Sequence, residues 1–152
     1  MMWRRFAAKL TRAVVLMAIA AVPREADACR CLEPKSAAAA YSAAHAAVTG
    51  QVLEVNRSSP DETEVTMQVT AAWKADLPRL LRVTTSTDCA FPFQKGGSYL
   101  LFLFQDASAS YSTERCMGNR DVAKAASFLA WLRKNGREGR VTAQGKTCER
   151  GD

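Results

Sequence analysis

The sequence predicts a mainly β protein, a small curled antiparallel barrel of about five strands with a short helix before and a short helix after it, stapled by disulfides. Three observations carry this expectation. Four runs rich in β-branched and aromatic residues, at 48–55, 64–73, 80–87 and 99–104, are separated by turn formers such as Ser58-Ser59-Pro60-Asp61 and Lys95-Gly96-Gly97. An alanine-rich stretch precedes them and an amphipathic one follows. Five cysteines, at 29, 31, 89, 116 and 148, all lie after an export signal.

The amino terminus reads as that signal. Arg4, Arg5, Lys9 and Arg12 form a basic region, and Ala13 to Val22 run without a charge. The apolar run is about 10 residues, whereas a helix crossing the hydrocarbon core needs roughly 20. Pro23 breaks it, and Ala26-Asp27-Ala28 offers small residues at both positions a signal peptidase reads. Cleavage after Ala28 leaves Cys29 as the mature amino terminus, in the periplasm or outside the cell. Acylation of Cys29, as in a bacterial lipoprotein, fits less well. Ala26, preceded by Arg24 and Glu25, stands where a large aliphatic residue continuous with the apolar run is usual. The Arg4-Arg5 pair hints at a twin-arginine signal, without the rest of that motif.

Each element of the mature chain follows from its residues. Between Ser36 and Ala47, Ser36 is placed as a cap and Tyr41 and His45 are spaced one helical turn apart, which predicts a short helix. Residues 64–69 alternate strictly, as in a half-buried strand, and Leu100 to Phe104 is apolar throughout, as in a strand buried on both faces. A fifth short strand is expected near 111–116. Over 121–134, Val122, Ala125, Phe128, Leu129 and Leu132 share one helix face, and Asn135-Gly136 ends it. Residues 135–152 read as a flexible polar tail.

Composition narrows the function. Of the 21 basic and 15 acidic residues, five and two respectively lie within residues 1–28, so the net charge falls from +6 to +3 on maturation. That excess does not call for nucleic acid. The aromatics Phe91, Phe93, Tyr99, Phe102 and Phe104 are expected in the core rather than on a stacking platform. His45, the single histidine, is expected to be packed or solvated rather than to bind metal. With oxidised cysteines no nucleophilic constellation assembles, so neither an enzyme nor a resident metal or cofactor is expected. The terminal Arg150-Gly151-Asp152 is too short to carry a claim.

Five cysteines with one left over allow about 15 two-bridge arrangements. Two residues apart on an extended segment, Cys29 and Cys31 have α-carbons nearly 7 Å from each other and are poorly placed to bridge. Each should reach a distant partner, and Cys89 and Cys116 are the natural candidates. Each bridge would contribute about 4 kcal/mol in the chain-entropy model. Cys148 is then free or intermolecular in a chain expected to be a monomer.

The start Cys29-Arg30-Cys31-Leu32-Glu33-Pro34, the pair Trp73-Lys74, Cys89-Ala90-Phe91-Pro92-Phe93, Tyr99-Leu100-Leu101-Phe102 and Arg115-Cys116 together resemble the amino-terminal domain of the tissue inhibitors of metalloproteinases. More broadly the chain is similar to the netrin-like module, over residues 29–134. The resemblance implies an OB-type five-stranded barrel and the pairings Cys29–Cys89 and Cys31–Cys116. It also implies that the amine and carbonyl of Cys29 chelate the catalytic zinc of a target protease, with Arg30, Cys31, Leu32 and Ala90 on the contact ridge. In that family a small residue follows the first cysteine, whereas Arg30 is long and charged, which a hydrophobic pocket would reject on desolvation grounds. The alternative is a non-inhibitory extracytoplasmic netrin-like module that binds a protein or a glycan.

Overall fold

In the computed structural model, the described residues are 32–86 and 89–143. Residues 1–28, expected as an export signal, the Cys29-Arg30-Cys31 motif, Cys148 and the terminal tripeptide lie outside them.

The barrel is built from five strands. β1 (Ala46–Ser59) and β2 (Glu62–Trp73) form a long antiparallel hairpin, and β2 pairs with β4 (Leu80–Ser86). β3 (Leu77–Pro78) lies in the connection between them. β5 (Ser98–Gln105) pairs antiparallel with β1, from Ala46 opposite Leu103 to Gln51 opposite Ser98. β6 (Tyr111–Ser112) closes the sheet between β4 and β5, giving the cyclic order β1-β2-β4-β6-β5. The expected mainly β barrel with flanking short helices is therefore present, with one difference from an all-antiparallel arrangement. β6 runs parallel to β4, Val83 opposite Tyr111 and Thr84 opposite Ser112. A strand arriving from β5 must pair with β4 in this direction for the sheet to close.

Curvature comes from bulges in β1, where the register with β2 shifts at Thr49/Gly50, Val52/Glu54 and Arg57/Ser59. At the first of these, a Cβ on Gly50 would lie 2.5 Å from the Gln68 carbonyl oxygen, so only glycine lets β1 approach β2 so closely.

The apolar run in β5 separates two cores. Leu101 and Leu103 face the barrel interior with Val48, Val52, Val65 and Met67. Leu100 and Phe102 face the other way, against α1 (Ala37–Ala43) and α2 (Ala126–Asn135). The strand is buried on both faces, as its composition predicts, except that Phe104 at its end is 39 % exposed and meets the His45 ring edge-on. Phe91, Phe93 and Tyr99 form a ring cluster with centroids 4.9 to 5.7 Å apart against the interior core. These three and Phe102 are core, not a stacking surface.

The helices are shorter than expected. α1 begins where Ser36 accepts from the Ala39 N–H at 3.2 Å, but it ends at Ala43. Ala46 and Ala47, good helix formers, are instead in β1, where pairing with β2 and β5 outweighs propensity. His45 is therefore outside the helix, and its Nδ1 accepts from the Gln105 N–H. The second helical stretch is broken at Ala125: Asp121 caps a 3-10 turn at Val122–Lys124 through the Ala123 N–H, and α2 follows. β7 (Arg120–Asp121) pairs with β5 just before it.

The stretch after Gly136, expected as a loose tail, is built into the fold as far as Ala143. β8 (Glu138–Gly139) pairs with Ala72 and Trp73, and β9 (Val141–Thr142) runs parallel to β3. The attachment is made by backbone hydrogen bonds, which a polar sequence does not reveal. Lys74 N–H donates to the Arg137 carbonyl at 2.7 Å, Leu77 N–H to Arg140 and Arg79 N–H to Thr142. Asp76 adds an ion pair with Arg140 at 2.9 Å and accepts from its backbone N–H.

Candidate functional site

The parallel β4–β6 pair decides where the two described cysteines stand. From the matched positions Thr84 and Ser112 both strands run toward the same end of the barrel, and Thr113 N–H extends the pairing to the Thr84 carbonyl at 2.9 Å. Cys89 follows Thr84 by five residues and Cys116 follows Ser112 by four. Both are half-buried.

Cys116 occupies a 3-10 turn, Arg115–Met117, whose Met117 side chain is buried beneath the helices. Asn119 fixes this turn to the barrel. Its Oδ1 accepts from the Phe102 N–H at 2.8 Å, and its Nδ2 donates to the Glu114 carbonyl at 2.7 Å and to Thr113 Oγ1 at 2.6 Å. Thr113, fully buried, donates in turn to the Phe102 carbonyl at 2.8 Å. The side chains of Asn119 and Thr113 thus complete hydrogen bonds that the edge of β5 would otherwise leave unmade.

Cys89 opens a loop pinned from the other side. Phe91 N–H donates to Thr85 Oγ1 at 3.1 Å, and Gln94 N–H donates to the Tyr99 hydroxyl. Ala90, which the resemblance places on a contact ridge, is half-buried directly before the first of these anchors.

The segment entering α1 runs past the Cys116 turn. Gly118, with φ of 86°, has Ala40 on one side and Pro34 on the other: a Cβ there would lie 3.3 Å from Ala40 Cβ and 3.4 Å from Pro34 Cγ. Cys31 precedes Pro34 by three residues, a reach of roughly 10 Å at full extension. Leu32 is 96 % exposed. Of the sequence-predicted site residues, Leu32, Ala90, Cys89 and Cys116 are described, while Cys29, Arg30 and Cys31 are not.

Lys74 is a residue that the sequence did not single out for its side chain. With φ of 76°, it turns its Nζ to donate to the Tyr41 carbonyl at 2.9 Å, to Ser42 at 3.2 Å and to Ala44, while lying over the Tyr41 ring. The ammonium supplies three donors to the carbonyl end of α1, whose dipole favours a cation. α1 is thereby fastened to the end of β2.

Two carboxyls are shifted by their surroundings. Hydrogen bonds from the Arg140 backbone and guanidinium hold Asp76 below its ordinary value, and the Ser108 hydroxyl and the Ser110 and Ser108 N–H groups do the same for Asp106. Both organise loops. Among the described residues no group of His, Cys, Asp and Glu could hold a metal ion, and no helix is long and apolar enough to cross a membrane. Compared with protein-family models and with curated proteins, the chain matches none.

Proposed function

We propose that the mature chain is an exported inhibitor of a zinc metalloprotease, acting through the free amine and carbonyl of Cys29. The chemistry is simple. A catalytic zinc keeps one coordination position for water. An α-amino group, with a pKa of about 8, is partly neutral near physiological pH and can take that position. With the carbonyl oxygen of the same residue it closes a five-membered chelate ring, and the water needed as nucleophile is displaced. The sulfur of Cys29 does not bind the metal; in a disulfide it holds the chelating backbone rigid, which lowers the entropic cost of binding.

The observation that carries this reading is the convergence at one barrel end. Cys89 and Cys116 each follow a strand of the parallel β4–β6 pair, five residues after Thr84 and four after Ser112, and Pro34 lies against Gly118, two residues from Cys116. This supports pairing Cys31 with Cys116 and Cys29 with Cys89, which would place the mature amino terminus across the end of the barrel. Exposed Leu32 is then available for contact with a protease surface. Arg30 would enter the pocket beside the zinc, so the target would have a pocket that accepts a cation.

The test compares the mature chain beginning at Cys29 with a form carrying one alanine before it, assayed against zinc metalloproteases with basic, acidic and apolar preferences. Inhibition by the first form, weakened at least about a hundredfold in the second, is expected, a difference of about 2.7 kcal/mol. Equal inhibition by both, or none by either, refutes chelation. The second outcome leaves the non-inhibitory binding module.

A further inference from the structure

Asn135-Gly136, the pair that ends α2, has covalent chemistry of its own. A glycine after asparagine leaves the next amide nitrogen sterically open. That nitrogen can attack the asparagine side-chain carbonyl carbon. The N–Cγ bond forms, the Cγ–Nδ2 bond breaks, and Nδ2 leaves as ammonia with the proton of the attacking amide. Water then opens the resulting succinimide at either carbonyl, giving aspartate or isoaspartate. The other two asparagines, Asn56 and Asn119, precede Arg57 and Arg120 and lack this opening.

In the closed fold both reacting groups are engaged elsewhere. Gly136 N–H donates to the Leu132 carbonyl at 2.8 Å, and Asn135 Nδ2 donates to the Trp131 carbonyl at 3.0 Å. Ring closure also needs a ψ of about 120° in magnitude at Asn135, because N and Cβ are set that far apart around the Cα–C bond, whereas a helix holds ψ at about −42°. Glycine is nonetheless required at 136, where a Cβ would lie 2.7 Å from the Leu132 carbonyl oxygen and 2.9 Å from Trp73 Cδ1. Packing thus creates the reactive pair, and the helix end silences it. Asn135 is exposed, so water has access to it.

The residues that follow keep the helix end closed. Arg137 N–H donates to the Tyr41 hydroxyl at 3.1 Å, and the Arg137 carbonyl accepts from Lys74 N–H at 2.7 Å. β8 then pairs with Ala72 and Trp73, and β9 with β3.

We propose that Asn135-Gly136 is a deamidation site gated by the strap of β8 and β9, silent while the strap is attached and reactive when it opens. The product holds the strap open. Aspartate at 135 loses the donor to Trp131 and sets a negative charge against the carbonyl end of α2. Isoaspartate adds a methylene to the main chain, which moves Arg137 out of register with Tyr41 and Lys74. The modification is a one-way record of opening, and it is independent of zinc chelation by Cys29.

The test incubates the oxidised mature chain at mildly alkaline pH, in buffer and in guanidinium chloride. Peptide mapping by mass spectrometry reads deamidation at each asparagine, and enzymatic methylation reads isoaspartate. Asn135 should react at least about tenfold more slowly in buffer than in denaturant. Y41F keeps the ring against Trp131 but removes one bond to the strap. It should speed the reaction in buffer at least about twofold and leave the rate in denaturant unchanged. The deamidated fraction, separated by its added negative charge, should exchange Lys74 N–H faster than the parent chain. Equal rates at Asn135 in buffer and in denaturant overturn the proposal. So does an unaffected rate in Y41F, or unchanged Lys74 exchange in the deamidated fraction.

Discussion

Replacement of Asn119 by alanine isolates what holds the Cys116 turn against the barrel. Three hydrogen bonds are lost at once: Phe102 N–H to Oδ1, and Nδ2 to the Glu114 carbonyl and to Thr113 Oγ1. They are not equivalent. Glu114 is exposed, so water replaces its bond at a cost of about 0.5 kcal/mol, whereas Phe102 is fully buried and its orphaned N–H costs about 1–3 kcal/mol. Adding the Thr113 bond, with its acceptor equally buried, brings the expected loss to about 3 kcal/mol. For a domain of this size that lowers the melting temperature by about 12 °C. Circular dichroism melts of the oxidised mature chain measure it, and amide exchange at Phe102 should accelerate beyond that of Leu101. Because Thr113 belongs to the same network, T113V and N119A should be non-additive by at least about 0.5 kcal/mol. A shift within about 2 °C, or strict additivity with T113V, would refute the reasoning.

Two further outcomes follow from the same hydrogen-bond logic. K74M should destabilise by about 1.5–3 kcal/mol, because the carbonyls at the end of α1 lose a charged donor, and exchange at Ala44 N–H should report the fraying; K74R should restore part of the loss. Asp76, whose pKa is lowered first by the Arg140 backbone N–H and then by its side chain, contributes stability that is present above its ordinary carboxylate value and lost as pH falls through the lower folded value. The Arg140 amide resonance should therefore titrate below pH 3.8, and D76N should abolish that titration while β9 stays paired with β3 through its backbone hydrogen bonds.

What the sequence made legible was whatever depends on neighbours along the chain. Alternation at 64–69 and the unbroken apolar run at 100–103 mark β2 and β5 because side-chain periodicity reports burial directly. The capping role of Ser36 was equally local. The features missed are long-range and made by backbone groups or by polar side chains bonding to them. Ala46 and Ala47 favour helix by propensity, yet both pair with β5, and Ala47 pairs with β2 as well. Residues 137–142 look like a tail because a strand that attaches through N–H and C=O groups needs little hydrophobicity. Lys74 and Tyr41 are 33 positions apart, and Asn119 and Phe102 are 17 apart, so neither pairing has a sequence period to betray it. Of the candidate site, the cysteine spacing was readable; the parallel approach of β4 and β6 was not, since it depends on how the barrel closes.

That closure bears on the proposed chelating terminus more than the disulfides alone would. A cross-link constrains only the distance between two chains, and a terminus tied to a mobile loop would still lose orientational freedom on meeting a metal. Here the turn bearing Cys116 is held by Asn119 and Met117, the loop bearing Cys89 by Thr85 and a ring cluster, and the segment leading back to Cys31 by Pro34 and the α1 helix that Lys74 fastens to β2. Each attachment acts on backbone near a cysteine. If Cys29 chelates zinc, weakening these remote supports should lower affinity without touching the metal ligands, so N119A, measured well below its melting temperature, should inhibit less tightly than the parent chain. An unchanged inhibition constant in N119A would show that the bridges hold the terminus without help from the barrel.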